Sequence, residues 1–186
     1  MHPIILASQS PRRSQLLQWA EIPFSVIVSN TDEQFPALLS FEEAAIFIAQ
    51  QKAMAVIERH APNAVVLAAD TIVVCNNVII GKPKDRAAAI QSLQMLSGNT
   101  HKVITGVWLQ HKEKSTSFSE TTRVTFHNLT EEMIHFYVDK YKPYDKAGGY
   151  AIQEWIGVTG IANIQGDFYN VMGLPISRVV QALAHF

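Results

Sequence analysis

At 186 residues the chain can bury one compact core or two closely fused lobes, and with 48% hydrophobic and 17% charged residues it is too apolar for a disordered segment. Fifteen basic against sixteen acidic side chains leave a net charge of -1, which excludes a global field for nucleic acid or an acidic membrane and makes any anion site local. Cys75 is the only cysteine, which excludes an intrachain disulfide and a thiolate zinc cluster and suits a buried strand in a reducing compartment. Apolar runs such as residues 64–69 fall far short of the ~20 residues of a membrane helix. The first arginines follow the first apolar stretch, the wrong order for a secretory signal, so a cytoplasmic location is expected.

Taken in chain order, Ile4-Ile5-Leu6-Ala7 is a short apolar strand without helical period. Ser10 as N-cap and Pro11 at the first helical position predict a helix from Pro11 to Ala20. Phe24 to Val28 is a second strand, followed by a polar loop from Ser29 to Gln34. Ser40 and Glu43 form a capping box, and Ala44, Ala45, Ile48, Ala49 and Ala53 continue one helical face to about Arg59. Val65 to Ala68 and Ile72 to Val74 are strand segments around Asp70, and Asn76-Asn77 turns into Val78-Ile79-Ile80. Asp85 caps a helix to Leu96, stopped by Ser97-Gly98-Asn99. Val103 to Gln110 and Ser117 to Phe126 alternate as a long hairpin, and Thr130 caps a helix to about Lys140. Glycines then punctuate the remaining strands and loops, and Pro175 opens a final helix. Strands interleaved with helices, plus one hairpin, predict a mixed α/β sheet covered by helices.

The residues suited to chemistry lie mainly in loops and at strand ends. Ser8-Gln9-Ser10-Pro11-Arg12-Arg13 joins a strand to a helix, gathering backbone amides, hydroxyls and two guanidiniums that suit a polyphosphate. The same pattern fits a plain capped helix with solvated arginines. Asp70 is a lone carboxylate within apolar strand sequence, which requires a metal ion, a lysine or a hydrogen-bonded turn as compensation. The first two make a catalytic site; the third makes a structural turn near Thr71. Asp32-Glu33 adds two oxygen ligands of the type Mg2+ takes, or is a solvated loop. Lys52 and Lys82 fit the surface equally well, although Gly81 and Pro83 fix the backbone around Lys82. In Asp145 to Gln153, paired glycines allow close backbone approach, and Gln153 at the end of a strand either reads a base edge with its amide or is an ordinary strand residue. The seven histidines show no zinc-binding spacing.

Six motifs occur in order along nearly the whole chain: Leu6-Ala7-Ser8-Gln9-Ser10-Pro11-Arg12-Arg13, Ala69-Asp70-Thr71, Gly81-Lys82-Pro83, Leu96-Ser97-Gly98, Asp145-Lys146-Ala147-Gly148 and Asn170-Val171-Met172-Gly173-Leu174-Pro175. On these the sequence resembles the Maf family of nucleotide pyrophosphatases. The resemblance implies one Maf-like domain over residues 1–186, an α/β fold related to inosine triphosphatases, with a mixed twisted sheet flanked by helices and two lobes around a nucleotide cleft, often dimeric. It implies hydrolysis of a nucleoside triphosphate to monophosphate and pyrophosphate with Mg2+ or Mn2+. Asp70 then corresponds to the proton acceptor, Glu33 and Asp70 to the metal ligands, and Ser8, Arg12, Arg13, Lys52 and Lys82 to the surroundings of the triphosphate. Arg12, Thr71 and Gln153 match the positions that separate subfamilies, and Thr71 with Gln153 resembles the branch acting on dTTP and UTP. The 7-methyl-GTP branch, with Gln after the aspartate and Trp before the arginine pair, is the second enzymatic alternative, and a nucleotide-sensing regulator of cell division is the non-enzymatic one. Thr31 stands where many members carry Val.

Overall fold

The short apolar segments become strands and the capped amphipathic segments become helices in the structure, a computed structural model that describes residues 2–28, 31, 33–60 and 63–186. Asp32 and part of the loop from Ser29 lie outside the described residues. The elements run β1 (Ile4–Leu6), α1 (Pro11–Trp19), β2 (Phe24–Val26), α2 (Phe41–His60), β3 (Val65–Cys75), β4 (Val78–Ile80), α3 (Arg86–Leu96), β5 (Thr100–His111), β6 (Lys114–Phe126), α4 (Glu131–Tyr141), α5 (Trp155–Gly160), β7 (Ile161–Gln165), α6 (Phe168–Met172) and α7 (Ile176–Leu183), with a 3-10 turn at Ala147–Gly149 before α5. Seven strands form one mixed sheet in the order β2-β1-β3-β5-β6-β7, with β4 paired to β3. β1 is parallel to β2 and to β3, with Leu6 opposite Leu67, whereas β4 and β7 are antiparallel to their partners. No helix among the described residues is long and apolar enough to cross a membrane.

By contacts the chain divides into two compact units, and the long strands β3, β5 and β6 contribute residues to both. The first comprises Met1–Thr71, Thr105–Glu120 and Gly173–Phe186. Its core is built where α2 lies on the sheet: Ala53 and Val56 of α2 pack with Ile5, Ala7, Val66 and Ala68, joined by half-buried Ile57 and Trp108. Small residues set the spacing. A Cβ on Gly106 of β5 would lie 2.2 Å from the backbone of Ala45 and Ile46, so only glycine admits the helix at this distance. The capping box forms as the sequence predicts, with Glu43 accepting from the Ser40 amide at 2.9 Å and Ser40 Oγ accepting from the Glu43 amide at 3.2 Å.

The second unit comprises Ile72–Ile104 and Thr121–Met172. Asn76 and Asn77 both take positive φ and turn β3 into β4, and Asp85 and Thr130 cap α3 and α4 through the amides of Ala88 and Met133. Buried His101, Phe126 and Tyr150 form an aromatic cluster, with His101 Nε2 2.7 Å from the Tyr150 hydroxyl. The paired glycines serve the fold: Gly148 has φ +74 and faces the Val73 side chain, its amide donates to Gly81 O at 3.2 Å, and Gly149 faces Ser92 and Pro83. Two motifs distant in sequence are thereby stitched together.

Three expectations are corrected. The segments on either side of Asp70 are one unbroken strand, since β3 runs through residues 65–75. Gln153 lies in a turn rather than on a strand, because Glu154 N–H bonds back to Ala151 O at 3.1 Å. Residues 155–160, with two glycines, form helix α5 instead of strand or loop. Gly157 is required there by proximity: a Cβ would lie 1.8 Å from Ile152 O.

Candidate functional site

β1 stops at Leu6, opposite Leu67, while β3 continues through Asp70 and Thr71. The Ala7 to Ser10 loop leads from β1 into α1, with the Ala7 amide donating to Leu67 O at 2.8 Å, at the carboxyl end of two parallel strands where open α/β sheets place ligands. Successive residues of β3 face opposite sides. Val66 and Ala68 pack in the core with α2, so Asp70 continues that row, and Thr71 faces the other way.

On the α2 side, Lys52 Nζ donates to Asp70 Oδ1 at 2.6 Å and to Glu33 Oε1 at 2.9 Å. Asp70 and Lys52 are 7% and 9% exposed, whereas the Glu33 side chain is about half exposed. A buried carboxylate is stable only when paired, and the ammonium supplies the partner. Of the three compensations considered for Asp70, the lysine is present and the backbone turn is absent. Lys52 falls in the buried stripe with Ala45, Ile48, Ala49 and Val56, so it is a core-facing lysine and not a surface one.

On the other side, the Arg13 guanidinium is 8% exposed and donates to Gly173 O from Nε at 2.7 Å, to Ser8 Oγ from Nη1 at 2.9 Å and to Thr71 Oγ1 from Nη2 at 3.0 Å. Burial lowers its pKa below the ordinary value and Asp70 acts in the opposite direction, while an arginine keeps its charge throughout. Thr71 Oγ1 also lies 2.9 Å from Thr105 Oγ1. Three of the five guanidinium donors are thus committed to the protein, which makes Arg13 the internal brace of the loop. Ser8 Oγ accepts from Arg13 and from the Ser10 amide at 3.2 Å, leaving its own proton for an incoming oxygen. Ser10 is the N-cap of α1 but its hydroxyl makes no capping bond. The helix start is not closed by its own side chain, which favours an anion there. Arg12 is half-buried beside it.

Ser8, Arg12, Arg13, Thr71, Glu33, Lys52 and Asp70 therefore belong to one unit, around the end of β1. Lys82 and Gln153 belong to the other, both exposed: Lys82 in the coil after β4 and Gln153 in the turn before α5. Two groups escaped the sequence reading. Thr105 is a fully buried hydroxyl in the apolar part of β5, and the Gly173 carbonyl is a backbone acceptor that no side-chain pattern reveals.

The Maf-like protein family matches residues 3–186. A dTTP/UTP pyrophosphatase of Bacillus cytotoxicus is 50% identical over 186 residues, covering 100% of this chain and 96% of the relative. Proteins of the same name from Parabacteroides distasonis and Cytophaga hutchinsonii are 46% and 47% identical, covering 100% and 97% of this chain and 96% and 82% of theirs. Among solved structures, the Staphylococcus aureus Ham1 protein aligns over 98% of both chains at 18% identity with a TM-score of 0.48. With one family matching almost every residue and relatives near half identity over full length, the chain belongs to the Maf-like protein family.

Proposed function

We propose that this chain hydrolyses dTTP and UTP to the nucleoside monophosphate and pyrophosphate. The observation that carries the chemistry is the buried Asp70–Lys52 pair, with half-exposed Glu33 on the same ammonium and both carboxylates within electrostatic reach of Arg13. The pyrimidine substrates rest on the full-length relatives that bear that name.

Asp70 is the proton acceptor for the water that attacks the α-phosphorus, and pyrophosphate leaves. Lys52 holds the buried carboxylate in place through its hydrogen bond, so no reorganisation is needed when the water arrives. The Ser8 hydroxyl, the start of α1 and Arg12 receive phosphate oxygens, while Arg13 holds the loop in shape through Gly173 and Thr71. The family resemblance assigns Lys82 to the triphosphate as a cation and Gln153 to the base, which its amide donor and acceptor suit.

The donor set fits Mg2+ or Mn2+. Glu33 and Asp70 already share one cation, the Lys52 ammonium, and they offer hard oxygen ligands. Among the described residues no group of three or more His, Cys, Asp or Glu side chains could hold a metal ion, so the remaining ligands would have to be phosphate oxygens and water. Glu33 and Asp70 would hold the ion, which when bound neutralises phosphate charge.

The test is a metal-supplemented screen of canonical and modified triphosphates with monophosphate and pyrophosphate measured separately. Equimolar monophosphate and pyrophosphate from dTTP and UTP is expected. Preference for a methylated purine triphosphate, or nucleotide binding without turnover, contradicts the proposal.

A further inference from the structure

Gln153 owes its position to a turn, residues 151–154, closed by the Glu154 amide on Ala151 O at 3.1 Å. Both ends of this turn meet at one atom. The Tyr137 hydroxyl of α4 accepts from the Ala151 amide at 3.1 Å and donates its proton to Glu154 Oε2. One hydroxyl has one proton to give and lone pairs to receive, so the two bonds are compatible in direction. Tyr137 is fully buried, as are Ala151 and Ile152, whereas Gln153 is exposed. Two further contacts hold the same turn. Lys146 Nζ, itself bonded to Asp145 at 2.7 Å, lies 3.5 Å from Glu154 Oε1. Gly157 brings α5 so close that a Cβ would overlap Ile152 O. A buried tyrosine hydroxyl must find partners, and here both stand at the ends of one turn, which fixes the angle at which that turn presents the Gln153 amide.

We propose that Tyr137 is a positioning residue for pyrimidine selection: its buried hydroxyl locks the turn that presents Gln153. Tyr137 does not touch the nucleotide. This inference rests on the reading of Gln153 as the residue that recognises the base, and the experiment separates the two.

Steady-state rates of the full chain are measured with UTP and GTP for wild type, Tyr137→Phe, Gln153→Ala and the double variant. Tyr137→Phe should raise KM for UTP about tenfold with kcat held within about twofold, and lower the UTP-over-GTP preference by a similar factor. Gln153→Ala should do the same, and adding Tyr137→Phe to it should cost less than about twofold more, the non-additivity expected when one residue acts through another. Two results overturn the proposal: equal losses with UTP and GTP in Tyr137→Phe, or retained preference in Tyr137→Phe while Gln153→Ala loses it. An intact preference in Gln153→Ala overturns base reading itself, and the positioning role with it. Should Tyr137→Phe fail to melt cooperatively, Glu154→Ala removes the other half of the brace and is judged by the same ratios.

Discussion

Lys52 and Asp70 show how a sequence position acquires its meaning from its neighbours. Read along the chain, Lys52 is one polar residue in a helix and Asp70 one acid in an apolar strand. Their shared hydrogen bond of 2.6 Å makes each the reason the other can be buried. Position 52 falls on the stripe Ala45, Ile48, Ala49, Val56, a helical period that points inward, but a lysine there fits the surface equally well until its partner is known. That partner was not legible, since nothing local pairs residues from a helix and a strand. The same is true of Thr71, whose hydroxyl meets Arg13 and Thr105 across 58 and 34 residues of sequence. Thr31 gives a separate test at this scale. Its Oγ1 is buried and has no hydrogen-bond partner among the described residues. Thr31→Val keeps the shape and removes an unsatisfied hydroxyl, so it should stabilise the protein by about 1 kcal/mol in urea denaturation. A loss of stability would show that the hydroxyl has a partner.

At the scale of elements, caps and turns were the readable part. Ser40, Asp85, Thr130 and the Asn76-Asn77 turn each satisfy local backbone groups, and a local rule is enough to place them. Glycines were harder, because their sequence pattern does not tell conformational need from lack of room. Gly148 has positive φ, whereas Gly157 sits inside a helix for want of space, and treating both as punctuation hid α5. Gly106 belongs to the second kind, and it sets the seat of α2. Gly106→Ala must push the helix from β5, costing about 2 kcal/mol or more, seen as a lower urea midpoint. Because Lys52 rides on α2, kcat/KM should fall as well. An unchanged midpoint would mean that the helix can yield freely.

For the molecule as a whole, the alternation of strands and helices was sufficient for a mixed α/β sheet, while the strand order β2-β1-β3-β5-β6-β7 was not legible. Order depends on which distant strands pair, and apolar strands such as β1 and β3 offer many equivalent partners. Global stability also depends on pH through one buried residue. His101 is 1% exposed within the aromatic cluster, and burial pushes its pKa down from 6.5 to about 4. Its folded pKa is below the unfolded one, so the unfolded chain takes up the proton first as pH falls. The stability associated with neutral His101 is therefore complete above about pH 6.5 and is lost between there and pH 4, by roughly 3 kcal/mol in total. His101→Gln, which does not titrate, should remove this component from the pH profile of the urea midpoint. Identical profiles for the two proteins would contradict it.

The central claim is that Asp70 is the base. It is tested most directly by the rate of UTP hydrolysis in Asp70→Asn, which keeps the size of the side chain and an oxygen for Lys52 but removes the proton acceptor. With the fold verified by an unchanged circular dichroism spectrum, kcat should fall by about a thousandfold, within the range for loss of a general base. Turnover within about tenfold of wild type would contradict the assignment of Asp70 as that base.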